Sequence, residues 1–231
     1  MFVPVYDDNP LRSIRFQYVT FALVAINLAI FAVQATGMQA QMVASFGIVP
    51  LKLLGARAAN TAIAIPPEFM GLPTWATLIS YMFFHVDIWH VGTNMLFLWV
   101  FGDNVEDAMG HAKFLFFYVA CGVFAGVAHS AMQPASAVPL IGASGAVAGV
   151  IAAYVLLYPR VMVWVLAFRI IPLHITAALA LGAWILTQIV MVLLPQSGPP
   201  MPIAWWAHIG GLAAGAALVL VLRRPGVRLF A

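Results

Sequence analysis

The feature that most restricts this chain is how rarely charge interrupts its apolar runs. Ten Lys or Arg and seven Asp or Glu are spread over 231 residues, 7% of the total, against 64% hydrophobic. Soluble proteins average about 25% charged and about 45–50% apolar residues, so a water-facing surface could not be assembled from this composition. Segments such as Leu173 to Leu194 are essentially uncharged, and a bilayer-spanning helix takes about 20 apolar residues. Six such helices would use about half of the chain. The expectation is an all-α membrane protein with six spans and no large extramembrane domain.

Reading the apolar runs against Pro, Gly and charged punctuation places helices near 16–36, 88–106, 113–132, 144–158, 173–194 and 203–222. The fourth is short for a full span, and a helix that starts below the membrane surface needs protein or water around it. Residues 1–231 form a single membrane domain, with a short cytoplasmic segment, 1–15, ahead of the first helix. The long first loop, about 37–87, contains several Pro yet is rich in Leu, Ile, Phe and Met, as expected of a segment partly in the interface. Val161 to Ile171 is apolar, β-branched and too short to span, an interfacial linker of undefined conformation.

Lys and Arg of short loops stay on the cytoplasmic side. Six spans place Arg12, Arg15, Lys113, Arg160, Arg169, Arg223, Arg224 and Arg228 on one side and only Lys52 and Arg57 on the other. Both termini are therefore expected in the cytoplasm. Trp75, Trp89, Trp205 and Trp206 then gather at the outer side, as an aromatic belt or simply as apolar filler. The basic residues form no run suited to nucleic acid. Cys121 is the single cysteine, and neither CxxC nor HExxH occurs, so no metal or cofactor is expected. The opening MFVPVYDDNPLRSIRF lacks a small-residue cleavage site, so the first span reads as retained. Compactness and the lack of an evident transit peptide favour a prokaryotic plasma membrane.

Three polar clusters open three of these helices. His85 to Asn94, HVDIWHVGTN, begins the second span, and His90 and Asn94 share a helical face. Buried polar groups in lipid are costly, although interhelical hydrogen bonding is the plainer explanation. The fourth span begins Gly142-Ala-Ser144-Gly145, followed by Gly149. Ser144 at a helix N-terminus lies where unpaired N–H groups favour developing negative charge, while small residues four apart are also ordinary packing devices. The sixth span begins Ala207-His208-Ile-Gly-Gly211, with Gly215 on the same stripe. Close approach of Gly145/Gly149 to Gly211/Gly215 would carry His208 to Ser144. The chemistry implied is acyl transfer: His208 as general base, Ser144 as nucleophile, and an oxyanion held by Ser144 N–H, His90 and Asn94. Asp87 is the only acid among these clusters and has no obvious route to His208, so a two-residue dyad is the simpler scheme.

HVDIWHVGTN, GASG and AHIGGLAAG, in this order and spanning about Pro73 to Gly215, resemble the rhomboid intramembrane serine proteases. The resemblance implies a six-helix rhomboid fold with Ser144 as nucleophile, His208 as base, and His90 and Asn94 around the oxyanion. It also implies a supporting place for His85 and for Glu106, the acid of a helix-ending G-x-x-x-E that ties the inner loop. The expected partners are transmembrane protein substrates, cut near the outer membrane face, and membrane lipid. Two features depart from the family pattern: Ala148 stands where many members carry an aromatic residue beneath the base, and a Trp-Arg pair of the first outer loop is missing. Two other readings are a silent rhomboid relative that binds clients without cutting, and a transporter or haem anchor using His85, His90, His111, His129, His174 and His208.

Overall fold

A computed structural model of the chain describes residues 2–55, 71–167, 170–194 and 203–231. Arg57, Arg169 and the middle of the first loop, 56–70, lie outside the described residues. The elements run β1 (Phe2–Asp7), α1 (Tyr18–Val33), α2 (Gln39–Phe46), α3 (Pro50–Leu53), α4 (Thr77–Ser80), α5 (Ile88–Met109), α6 (His111–Met132), α7 (Ser144–Leu157), β2 (Met162–Ala167), β3 (Ile171–Thr176), α8 (Ala177–Leu193) and α9 (Trp205–Leu222). A widened turn, Gln34–Met38, joins α1 to α2, with Gly37 at a φ of 100° that only glycine adopts freely. The first loop is therefore partly built of short helices.

The all-α expectation is corrected. The described residues are mostly helical, but β1, β2 and β3 form an antiparallel sheet in that order, pairing Val3 with Leu166 and Trp164 with His174. The cause is legible in MVWVLA of β2: Val163, Val165 and Ala167 are buried while Trp164 is exposed, the period-two pattern of a strand in β-branched and aromatic residues. A hairpin too short to cross a bilayer must pair its backbone polar groups somewhere, and β1 and β3 supply partners on both edges of β2. Residues 173–176 belong to β3, so the fifth apolar run becomes helical only at Ala177, where the Thr176 hydroxyl accepts from Leu179 N–H at 3.4 Å.

Helices occupy all six apolar runs of the sequence. Three helical stretches among the described residues are long and apolar enough to cross a membrane: Tyr18–Phe46, His111–Met132 and Trp205–Leu222. By contrast, α7 has 14 residues and α8 has 17. α7 is the hub of the bundle. Every residue from Gly145 to Tyr154 is buried, and α5, α6, α8 and α9 all pack against it. A helix apolar on every side belongs inside a protein, and α7 is enclosed in this way.

The two ends of the bundle differ. At one end lie the sheet and the C-terminal turns of α5, α7 and α9. Arg224 N–H donates to Ala108 O at 2.8 Å there, joining the ends of α9 and α5. Glu106 of α5 is fully buried, and its carboxylate accepts from Val19 N–H (3.0 Å), Thr20 N–H (2.8 Å) and the Thr20 hydroxyl (2.7 Å), capping α1 from a different helix. His111 Nδ1 lies 2.5 Å from the same carboxylate. The neighbouring Asp107 accepts from the N–H groups of Arg12, Ser13 and Ile14 at 3.1, 2.7 and 2.7 Å. Asp7 of β1, also buried, accepts from the Tyr154 hydroxyl and from Asn104 Nδ2 (3.2 Å). The N-terminal segment is thus bound to the bundle by carboxylates. At the other end lie the starts of α5, α7 and α9.

Candidate active site

Three helix starts and one mid-helix residue converge at that second end. Ser144 is the first residue of α7, and the earliest helical bond of this turn is Val147 N–H to Ala143 O, 3.0 Å. The N–H groups of Ser144, Gly145 and Ala146 therefore have no partner within the helix, and the positive end of its dipole surrounds the hydroxyl. Gly142 supplies the approach. Its φ of +123° is left-handed, its N–H donates to Tyr81 O at 2.9 Å, and a Cβ on it would lie 2.7 Å from the His90 ring. Both the backbone angle and the space require glycine here.

His208, nearly buried near the start of α9, places Nε2 2.9 Å from Ser144 Oγ. That reach depends on contact between the α7 and α9 backbones. A Cβ on Gly211 would sit 1.9 Å from Gly145 O, and one on Gly215 would sit 2.3 Å from Gly149 O. Any larger side chain would separate the two helices. Gly145 and Gly149 face α6 as well, where added Cβ atoms would meet Ala125 and Cys121 at 2.5 Å.

The α5 cluster sits on the other side of the serine. Asp87 caps α5, its carboxylate accepting from His90 N–H at 2.8 Å, which accounts for the one acid of this end. His90 Nδ1 accepts from Val86 N–H at 3.5 Å. The spot where a Gly142 Cβ would stand is 2.8 Å from His90 Nε2 and 3.8 Å from Ser144 Oγ, so imidazole and hydroxyl flank one small space. Asn94 is buried one turn further on, and its Nδ2 donates to His90 O at 2.9 Å, which uses one of its two amide hydrogens. His85 is fully buried, edge-on to His90 with ring centroids 5.0 Å apart, and its Nε2 accepts from Ala143 N–H at 3.4 Å. It supports the loop that carries Ser144. Glu106 stands apart from this group, at the opposite end of α5.

The residue that sequence reasoning missed is Gln188 of α8. Its Oε1 lies 2.7 Å from His208 Nδ1, and its Nε2 donates to Trp184 O at 2.9 Å. Trp184 and Trp205 also border the imidazole, with ring centroids 5.7 and 6.1 Å away. These groups surround His208 where Ala148, packed 3.3 Å from the Cβ position of Gly211, offers no aromatic ring. A Gln inside an apolar run was the available signal, but no spacing rule joins it to a histidine twenty residues later.

The profile of the Rhomboid domain matches residues 73–225, about two thirds of the chain and the whole of the site just described. The chain belongs to the rhomboid family. It is an integral, multi-pass membrane protein, and rhomboids are typically intramembrane proteases, with inactive members among them. Rhomboid protein 1, mitochondrial, of Saccharomyces cerevisiae is 33% identical over 113 residues, 47% of this chain and 32% of that protein. Rhomboid protease GluP of Bacillus subtilis is 37% identical over 90 residues, covering 38% of this rhomboid and 17% of GluP. Rhomboid-related protein 3 of Homo sapiens is 28% identical over 190 residues, 80% of this chain and 45% of the human protein. The chain therefore spans less than half the length of each of these curated relatives. They come from bacterial, mitochondrial and human proteins alike, so similarity alone does not assign the compartment.

Proposed function

We propose that this rhomboid is an intramembrane serine endopeptidase that cuts transmembrane segments of other membrane proteins near the outer membrane face, using Ser144 and His208. The observation that carries the reading is the 2.9 Å approach of His208 Nε2 to Ser144 Oγ. Neutral His208 takes the hydroxyl proton as Ser144 attacks the scissile carbonyl, then returns it to the leaving amine; water hydrolyses the acyl-enzyme by the same route. The oxyanion forms beside the unpaired N–H of Ser144 and the Nε2 hydrogen of His90, which Nδ1 acceptance from Val86 leaves on that nitrogen. The second Nδ2 hydrogen of Asn94 is a further donor. Extended backbone is needed for attack, so substrate helices that unwind easily are preferred.

The six helices α1, α5, α6, α7, α8 and α9, of which α7 and α8 are the short apolar ones, are read as six spans. The charge asymmetry supports a reading with the sheet end and both termini in the cytoplasm and the Ser144 end outside; the membrane proposed is the plasma membrane of a prokaryote. The histidines also favour hydrolysis over a haem or transport role. His111 and His174 pair with Glu106 and Asp8 at the sheet end, whereas His85, His90 and His208 lie around Ser144. The test is labelling of the reconstituted protein with a fluorophosphonate or isocoumarin probe. Modification of Ser144, lost in His208→Ala, is expected together with cleavage of a membrane-embedded reporter; a reporter still cut by Ser144→Ala would refute the assignment.

A further inference from the structure

Gln188 is buried on α8 with its Oε1 2.7 Å from His208 Nδ1. Between Gly182 and Leu193 it is the only fully buried residue of that helix, whose other side chains there are partly or largely exposed. An amide in an apolar helix is costly unless its groups are paired, and both of these are. The Trp184 carbonyl can only accept, so it fixes the amide nitrogen on its own side and turns Oε1 towards His208. A carbonyl oxygen likewise can only accept, so His208 Nδ1 must carry a hydrogen, and Nε2 is left with the lone pair that faces the Ser144 hydroxyl. No other described group bonds to Nδ1. α8 carries no charged side chain, and the titratable groups that act on His208 from α5 and α6 are His90 and His129, neither of them an anion.

We propose that Gln188 is the positioning residue of the dyad, holding His208 in the tautomer that accepts from Ser144 and keeping its ring aimed at the hydroxyl. The third member of the relay is then a neutral amide supplied by a third helix. The arrangement also couples α8 to the chemistry: displacement of α8 away from α9 removes the acceptor from Nδ1 and frees the ring to turn. This proposal rests on the Ser144 and His208 reading above.

The experiment compares wild type, Gln188→Leu and Gln188→Glu in proteoliposomes containing a cleavable transmembrane reporter, measuring kcat, KM and the pH dependence of kcat/KM. Gln188→Leu keeps the volume and removes the acceptor; kcat is expected to fall about tenfold at unchanged KM, the size of one lost hydrogen bond. The acid limb moves to lower pH, because imidazolium loses a partner. In Gln188→Glu a carboxylate stabilises imidazolium and the acid limb moves up by about one unit or more. A purely structural glutamine would leave the acid limb in place, and an unmoved limb in both variants overturns the proposal. If Gln188→Leu does not fold, the Gln188→Glu profile decides alone. Probe labelling of wild-type Ser144 separates the two claims. Labelling with an unmoved acid limb sinks only the role of Gln188, whereas no labelling sinks the protease reading as well.

Discussion

The two ends of the bundle hold buried polar side chains on opposite terms. At the sheet end the groups are anions with every lobe engaged: Glu106 takes three bonds from α1 and a fourth contact from His111, and Asp107 takes three from the chain before α1. At the Ser144 end the groups are hydroxyl, imidazole and amide; His208 and Gln188 are paired at both of their polar atoms, while Asn94 keeps one amide hydrogen and His90 its Nε2 in reserve. The sheet end ties a chain terminus down, while the other keeps hydrogen-bonding capacity free. In a membrane domain, where an unpaired polar group is expensive, unused capacity is the better pointer to chemistry than polarity itself.

The largest expected effect tests that contrast at its centre. Ser144→Ala removes one oxygen from a half-buried position and should lower turnover about 10⁴-fold or more, since a nucleophile acts as a unit with its base. Its melting temperature should match wild type. A large loss of stability would mean that Ser144 serves the fold as Glu106 does.

Next in size is Gly211→Ala. The added methyl falls 1.9 Å from a backbone oxygen of α7, which cannot step aside without moving the helix. A cost of about 3 kcal/mol or more is expected, read in thermal unfolding. The surviving folded fraction should also cleave poorly, because separation of α7 from α9 lengthens the Ser144 to His208 distance.

The sheet end is probed by Glu106→Gln. The amide keeps the size but can accept at only one atom, leaving α1 donors unpaired at a cost of about 1–3 kcal/mol. Turnover per folded molecule, measured as kcat after active-site titration, should stay within about twofold of wild type. A collapse of kcat in protein that remains folded would show that the two ends are not independent.

How much of this contrast was written in the sequence depends on whether a partner lies at a fixed spacing. Ser144, His90 and the glycine pairs were legible, because small residues four apart and polar residues at helix starts carry their geometry with them. A supporting place for Glu106 was implied only by the resemblance of its segment to a helix-ending G-x-x-x-E. Gln188 was hidden because its contact with His208 depends on how α8 docks, which no period in LTQIVMVLL encodes. The sheet was hidden for a related reason: β1 and β2 pair residues more than 150 apart, Tyr6 with Trp164, so the β-branched run from Val161 to Ile171 reads only as a linker of undefined conformation. The alternation of MVWVLA was visible; its partner was not.

A finer test at the site is Asn94→Ala. One Nδ2 hydrogen is spent on His90 O, so only the other can reach an oxyanion. The expected loss is about tenfold in kcat, below the 10²–10³-fold typical of a dedicated donor, with KM unchanged. A KM effect alone would move Asn94 from the oxyanion to substrate binding.

The smallest effect concerns the sheet end and is read by pH. Burial raises the Asp7 carboxyl to about 6, a cost of desolvation that the Tyr154 hydroxyl only partly offsets. The native protein then holds this proton more tightly than the unfolded chain, whose aspartate titrates near the ordinary value of about 3.9. Stabilisation from Asp7 is therefore complete below the unfolded value and is lost as pH rises through about 6. Wild type should melt about 2–4 °C lower at pH 7.5 than at pH 5 on this account. Asp7→Asn, which keeps an uncharged acceptor for Tyr154, should flatten that difference without altering cleavage at either pH. If the difference persists in Asp7→Asn, the pH response belongs to another group and β1 is held by its strand pairing with β2 rather than by this carboxyl.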